Sequence, residues 1–267
     1  MHFFQFAVVG SCYYWLLAFS AGLPLRSLFE EGITLAEEAK KHQQDVPYSN
    51  LLAVLQMLSN LMGESKDPCI MTGEFMDEIP FLQAAAESKH ETRILMVHLC
   101  IQSLAYYMGN FSLAHEAGKK CRSFGKMSCI RATQQAFFDG MTAMELARTC
   151  HKRSHLQTVC GSIKKMKKWA KHSPHNFLHK AHLLEAEMAL VHGNRGKALM
   201  KYKKSIEMAN DEGFVQDHAL ACERTGVALR HFGQDENARE YFLKAVSSYR
   251  EWGALAKVDQ LEKAMES

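Results

Sequence analysis

Histidine and cysteine are the residue types here whose spacing could do chemistry. His172, His175, His179 and His182 fall within eleven residues, and His151 and His155 lie one helical turn apart beside Cys150. Two histidines at i and i+4 on a helix can share a zinc ion. The pattern lacks the rest of such a site: there is no HExxH, and no carboxylate lies between 172 and 184. His175 and Asn176 stand beside Pro174, where polar residues commonly open a helix. The eight cysteines contain no CxxC pair, which argues against structural zinc and against a thioredoxin-type dithiol. Cys150 and Cys160 are ten apart, a spacing that does not imply a redox pair. No GxSxG supports a hydrolase triad, and neither GxxxxGK[ST] nor a kinase motif set is present. No catalytic, cofactor-binding or metal-binding residue is assigned, and no cofactor is expected.

A second kind of chemistry is electrostatic. Residues 151–204 carry 13 Lys/Arg against 2 Asp/Glu, whereas residues 1–100 carry 6 against 12 and residues 205–267 carry 7 against 12. The whole chain is therefore only +3, but a basic quarter lies between acidic ends. Within it, Lys164, Lys165, Lys167 and Lys168 cannot all lie on one buried helical face. Ile163, Met166, Trp169 and Ala170 make the buried stripe instead, leaving the four lysines as a basic patch for an acidic partner. A nucleic-acid partner would want aromatic rings interleaved with the cations, and this run offers one, Trp169.

The elements that position these residues read as helices throughout. With 267 residues, 47% hydrophobic and 23% charged, the chain has the balance of a globular protein. Only 5 Pro and 16 Gly argue against turn-rich β folds. Pro24 can open a helix whose stripe is Leu25, Leu28, Phe29, Ile33, Leu35 and Ala36, and helical patterns follow at about 47–62, 74–88, 90–108, 111–123, 128–149 and 154–172. They continue at 175–192, 195–212, 215–232, 235–251 and 254–265, with the clearest loop from Gly63 to Gly73. Residues 1–25 hold no Asp, Glu, Lys or Arg. Without a basic n-region the stretch reads as a buried helix rather than a signal or anchor, and there is no other apolar run to suggest several membrane spans. Scattered single cysteines suggest reduced thiols and a cytoplasmic location.

The helices repeat. Gly193 is followed by Ala198, Tyr202 and Ile206 at +5, +9 and +13, and Gly233 by Ala238, Phe242 and Val246 at the same offsets. Weaker copies start at Gly109 (Ala114, Gly118) and at His151 (Leu156, Cys160), so the turns at 109, 151, 193 and 233 are 42, 42 and 40 apart. A tight turn, a small residue for close helix approach and a bulky one to fill the gap describe a helix pair that must stack on its neighbours.

This pattern resembles tetratricopeptide repeats with lengthened helices. The stretches NFLHKAHLLEAEMAL (176–190), GNRGKALMKYKKSIEMANDEGFVQDHALACE (193–223) and AREYFLKAVSSYREWGALAKVDQLE (238–262) are similar to the helical-repeat arm of large signalling histidine and Ser/Thr kinases that contain an AAA-type ATPase. So, more loosely, are SAGLPLRSL (20–28) and LSNLMGESKDPCIMTGEF (58–75). The Trp252-Gly253-Ala254 and Ala256-Lys257-Val258 runs match the end of that family's array. The resemblance implies an all-α, TPR-like α-solenoid of about six antiparallel helix pairs plus a C-terminal capping helix. It would form one array over 1–267, with degenerate pairs in 1–66, middle repeats in 67–172 and the best-matching repeats and cap in 173–267. It also implies a protein without catalytic activity of its own that docks a protein partner or transmits a signal, the partner being a peptide or an ATPase or kinase module. A basic helical repeat that binds nucleic acid is the alternative.

Taking Ala186 and Gly226 as the close-packing positions, the first helix of each pair turns Lys180, Leu183, Glu187, Leu190 and Val191, then Leu220, Glu223, Val227, Arg230 and His231, toward a partner groove. Lys180, Glu187, Glu223, Arg230 and His231 are its polar members. Trp252 is expected to anchor the cap, with Leu255, Val258, Leu261, Ala264 and Met265 as the buried side of that last helix.

Overall fold

The computed structural model describes residues 2–125, 129–150 and 153–266, without the side chains of 2–9, 11, 12 and 129. It is all-helical, and the described residues contain no strand. The chain forms α1 (His2–Ala21), α2 (Leu25–Lys41), α3 (Asp45–Met62), α4 (Glu78–Glu87), α5 (Glu91–Tyr107), α6 (Phe111–Ser123) and α7 (Cys129–Cys150). It continues with α8 (Arg153–Ala170), α9 (Pro174–Val191), α10 (Arg195–Asp211), α11 (Val215–His231), α12 (Asp235–Trp252) and α13 (Leu255–Glu266). Most consecutive helices pack as neighbours, from α1 to α3, α4 to α6 and α8 to α12. The three-residue connections after α5, α9, α10 and α11 reverse the chain, so the flanking helices run antiparallel. Gly109, Gly193 and Gly233 turn with φ of 76°, 70° and 69°, a left-handed conformation that glycine adopts without Cβ strain. The turn expected at 151 lies outside the described residues.

Two compact units divide the chain, residues 1–135 with 253–256 and residues 136–252 with 257–267. In the first, α3 is the central element: it packs on α1, α2 and α5, and its side chains from Ser49 to Met62 are buried except Leu52. The α1 helix buries Trp15, Leu16, Ala18 and Phe19, and the Trp15 indole donates to the Leu28 carbonyl at 2.7 Å. No helix among the described residues is long and apolar enough to cross a membrane. The loop after α3 is longer than expected, reaching Asp77, because α3 itself organises it. Asn60 donates to the carbonyls of Pro68 and Ile70, and Gln56 accepts from the Phe75 N–H at 3.1 Å. A single bridge between Thr72 and Asp77 closes it.

In the second unit, α8 to α12 pack in chain order, and α9 also meets α11. The second helix of each pair buries the same stripe: Ala198, Tyr202, Ser205 and Ala209 in α10, and Ala238, Phe242, Ala245 and Tyr249 in α12. In α8 the corresponding positions are Val159, Ile163, Met166 and Ala170. Leu156 and Cys160, the positions expected from the copy at His151, are half-buried and exposed. The copy is three residues out of phase: Val159 and Ile163 stand in the places that Ala198 and Tyr202 hold in α10. Close approach is built in at Gly226, where a Cβ would lie 2.8 Å from the Phe242 ring.

Candidate functional site

The lysine run forms one face of α8. Met166 and Ala170 are buried and Ile163 and Trp169 half-buried, while Lys164, Lys165, Lys167 and Lys168 are exposed, as the spacing predicts. Lys167 pairs with Glu185 of α9, which also receives Lys201 of α10 at 2.6 Å. Glu185 feels its burial less than these cations and its His182 contact, so its carboxyl is held at about 2. Lys164, Lys165, Lys168 and the exposed Lys171 meet no carboxylate within 4 Å among the described residues. Trp169 tilts against Phe177 with ring centroids 5.9 Å apart, so its ring is engaged in packing.

The polar groove positions behave differently from one another. Arg230 and His231 are exposed on α11, with the Arg230 guanidinium 4.7 Å from the centre of the Phe242 ring. Glu187 is wholly buried. Arg224 of α11 donates to it at 2.9 and 3.3 Å, Tyr202 of α10 donates at 2.8 Å, and Arg148 of α7 also pairs with it. Glu145 pairs with both arginines. Burial pushes the Glu187 carboxyl up, but Arg224 and Arg148 outweigh it and hold the group at about 2. Burial and the same carboxylate push the Tyr202 phenol well above its ordinary value.

Lys180 and Glu223 make two further rungs. Lys180 of α9 is half-buried and pairs with Asp217 of α11, its ammonium 5.3 Å from the centre of the Phe214 ring. Asp217 resists burial in the same way as Glu187, through Lys180 and His179, and is held at about 2. Glu223 of α11 accepts from Lys257 of α13 at 2.7 Å and from the Tyr249 hydroxyl at 2.8 Å. Thus Lys180, Glu187 and Glu223 tie the first helices α7, α9, α11 and α13 to one another. Their partners Glu145, Arg148, Arg224, Asp217 and Lys257 were not evident from spacing, since each lies more than thirty residues along the chain from the group it meets on another first helix.

The histidines do not converge. His172 and His175 are exposed, and His175 pairs with Glu212. His179 is buried, stacked on Phe214 at 4.7 Å, and shares a 2.9 Å hydrogen bond with Asp217. Burial, then Lys180, lowers its pKa against the pull of Asp217. His182 faces Glu185 at 3.3 Å. Among the described residues no three His, Cys, Asp or Glu side chains are placed to hold a metal ion. Cys150 and Cys160 are exposed free thiols.

The capping helix differs from its expected pattern. Leu255 is exposed and Lys257 buried, and Ala264 is exposed beside the buried Val258 and Leu261. Lys257 goes in because Glu223 and Gln260 satisfy its ammonium at 2.7 and 2.8 Å. Trp252 is fully buried, as expected of an anchor. No family model, curated protein or solved structure matches the chain.

Proposed function

We propose that the chain is a non-catalytic TPR-like helical-repeat scaffold that docks an acidic protein segment on the exposed lysine face of α8. On this reading α1 to α12 are six successive helix pairs and α13 is their cap. The role resembles that of the arm in multidomain ATPase-containing signalling kinases, where the partner is a peptide or an attached module. The observation that carries this reading is the contrast between two sets of charges. Lys180, Glu187 and Glu223 are committed to neighbouring helices, whereas Lys164, Lys165, Lys168 and Lys171 are exposed without a carboxylate partner among the described residues. An array of unpaired cations on a rigid helix attracts an acidic surface and speeds encounter with it. The engagement of Trp169 with Phe177 favours a protein over a nucleic acid, because base stacking needs a free ring.

The test compares the wild-type chain with a Lys164→Glu/Lys165→Glu/Lys168→Glu variant in capture from the native lysate, with and without nuclease. Lys167 is left in place because it pairs with Glu185. The expected result is a nuclease-resistant protein partner that is lost from the variant and released by salt. Capture that is equal for both chains refutes the lysine face. Capture that nuclease abolishes turns the reading to nucleic acid.

A further inference from the structure

Unit 1 carries a half-open cavity of about 680 Å³, a size that suits a small organic ligand. Buried side chains of three helices form its apolar wall: Trp15 and Leu16 of α1, Leu51 and Val54 of α3, and Met96 of α5. Of the polar residues that also line it, Asn50 of α3 and Arg131 from the first turn of α7 carry buried atoms left without a hydrogen-bond partner among the described residues. Asn50 is only 8% exposed, and its Oδ1 is buried with no donor among the described residues. The Arg131 Nε is likewise buried with no acceptor, and no carboxylate lies within 4 Å of this guanidinium among the described residues. Leaving a partly buried cation without a counter-ion is costly, as is leaving a buried amide oxygen without a donor. The ladder of unit 2 satisfies its buried charges one by one, whereas Asn50 and Arg131 at this cavity, like the Arg93 Nε of α5, keep unpartnered buried atoms among the described residues. One ligand can satisfy both groups if it brings a negative charge for Arg131, a donor for Asn50 and an apolar body for the wall. Asp45, also among the lining residues, is exposed at the cavity and disfavours a second negative charge on the ligand.

We propose that this cavity binds a small monoanionic amphiphile, with its carboxylate on Arg131, a hydroxyl or amide donor on Asn50, and its apolar part against Trp15, Leu51 and Val54. The site is separate from the lysine face of α8 and stands whether or not that face docks a protein.

The probes are anilinonaphthalene sulfonate, an apolar fluorophore with one negative charge, and phenylnaphthylamine, its uncharged counterpart. Both are titrated into the full chain, with near-ultraviolet circular dichroism confirming that tertiary packing is intact. The charged probe is expected to saturate at one site. Arg131→Gln should weaken it by about tenfold or more, the loss of one charge-assisted contact, and should leave the neutral probe within about twofold. On the unmodified protein, decanoate should displace the charged probe about tenfold better than decanol does, a comparison that needs no variant to fold. Equal competition by the acid and the alcohol, equal loss of both probes in Arg131→Gln, or uptake of the charged probe without saturation overturns the proposal.

Discussion

Glu187→Gln is the sharpest perturbation of the charged ladder, because it removes one charge and almost no volume. Glu187 is fully buried and accepts from Arg224, Arg148 and Tyr202. A glutamine keeps one acceptor oxygen for the Tyr202 hydroxyl but presents an amide N–H₂ to one of the two guanidinium groups. Breaking a buried ion pair by removing one partner costs about 3–5 kcal/mol. Two features here pull the value to the lower end. Glu145 remains to pair with both arginines, and the Arg148 side chain is 24% exposed, so water relieves part of its loss. The expected loss is therefore about 3 kcal/mol. Urea unfolding followed by helicity would measure it, with Arg224→Met and the double variant closing a cycle. A coupling energy of about 1.5 kcal/mol or more between the two sites is expected for charges in direct contact. A single-variant cost below about 0.5 kcal/mol, the range of ordinary surface changes, would refute the claim that this carboxylate holds α7, α9 and α11 together.

The same carboxylates set the acid limit. Glu187 falls from an ordinary 4.5 to about 2 and Asp217 from 3.8 to about 2. A depressed folded-state pKa stabilises above the unfolded value and is lost as pH falls through the folded one. Stability measured by urea midpoint should therefore drop between about pH 4.5 and pH 2, and Glu187→Gln should flatten that drop. Trp252→Ala should cost about 3–5 kcal/mol as a buried large-to-small change. It should speed hydrogen exchange at 235–265 before the rest of the chain, and unchanged exchange there would remove Trp252 from its anchoring role. Gly226→Ala places a Cβ 2.8 Å from the Phe242 ring and should cost about 1–3 kcal/mol by overpacking. Phe242→Leu should recover part of that loss in a thermal melt, and failure to do so would mean that the contact is not the cause.

Local features were the most legible in the sequence. The helix-pair rhythm announced itself through Gly193–Ala198–Tyr202 and Gly233–Ala238–Phe242, because turn chemistry and a small close-packing residue are written within one helix. The exposed lysines of α8 followed from spacing alone. Features that depend on a partner far along the chain were hidden. Lys257 reads as a surface residue on periodicity, yet it is buried because Glu223 accepts from it across 34 residues. Glu187 reads as a groove residue and is instead the centre of a network fed by Arg148, Arg224 and Tyr202. The phase of α8 was missed because Val159 and Ile163 fill the small and bulky places with residue types that the repeat pattern does not specify. The cavity of unit 1 left no signal at all, since Asn50 and Arg131 are eighty-one positions apart and only packing brings them to one space.

The docking face itself is tested most directly by placing a photo-crosslinking benzoylphenylalanine at position 165 on α8 and, separately, at position 230 on α11, then irradiating each chain with the captured partner bound. The lysine-face reading predicts a covalent adduct from position 165 that disappears in high salt, with none from position 230. An adduct from position 230 alone would contradict it and move docking to the exposed end of the first-helix face.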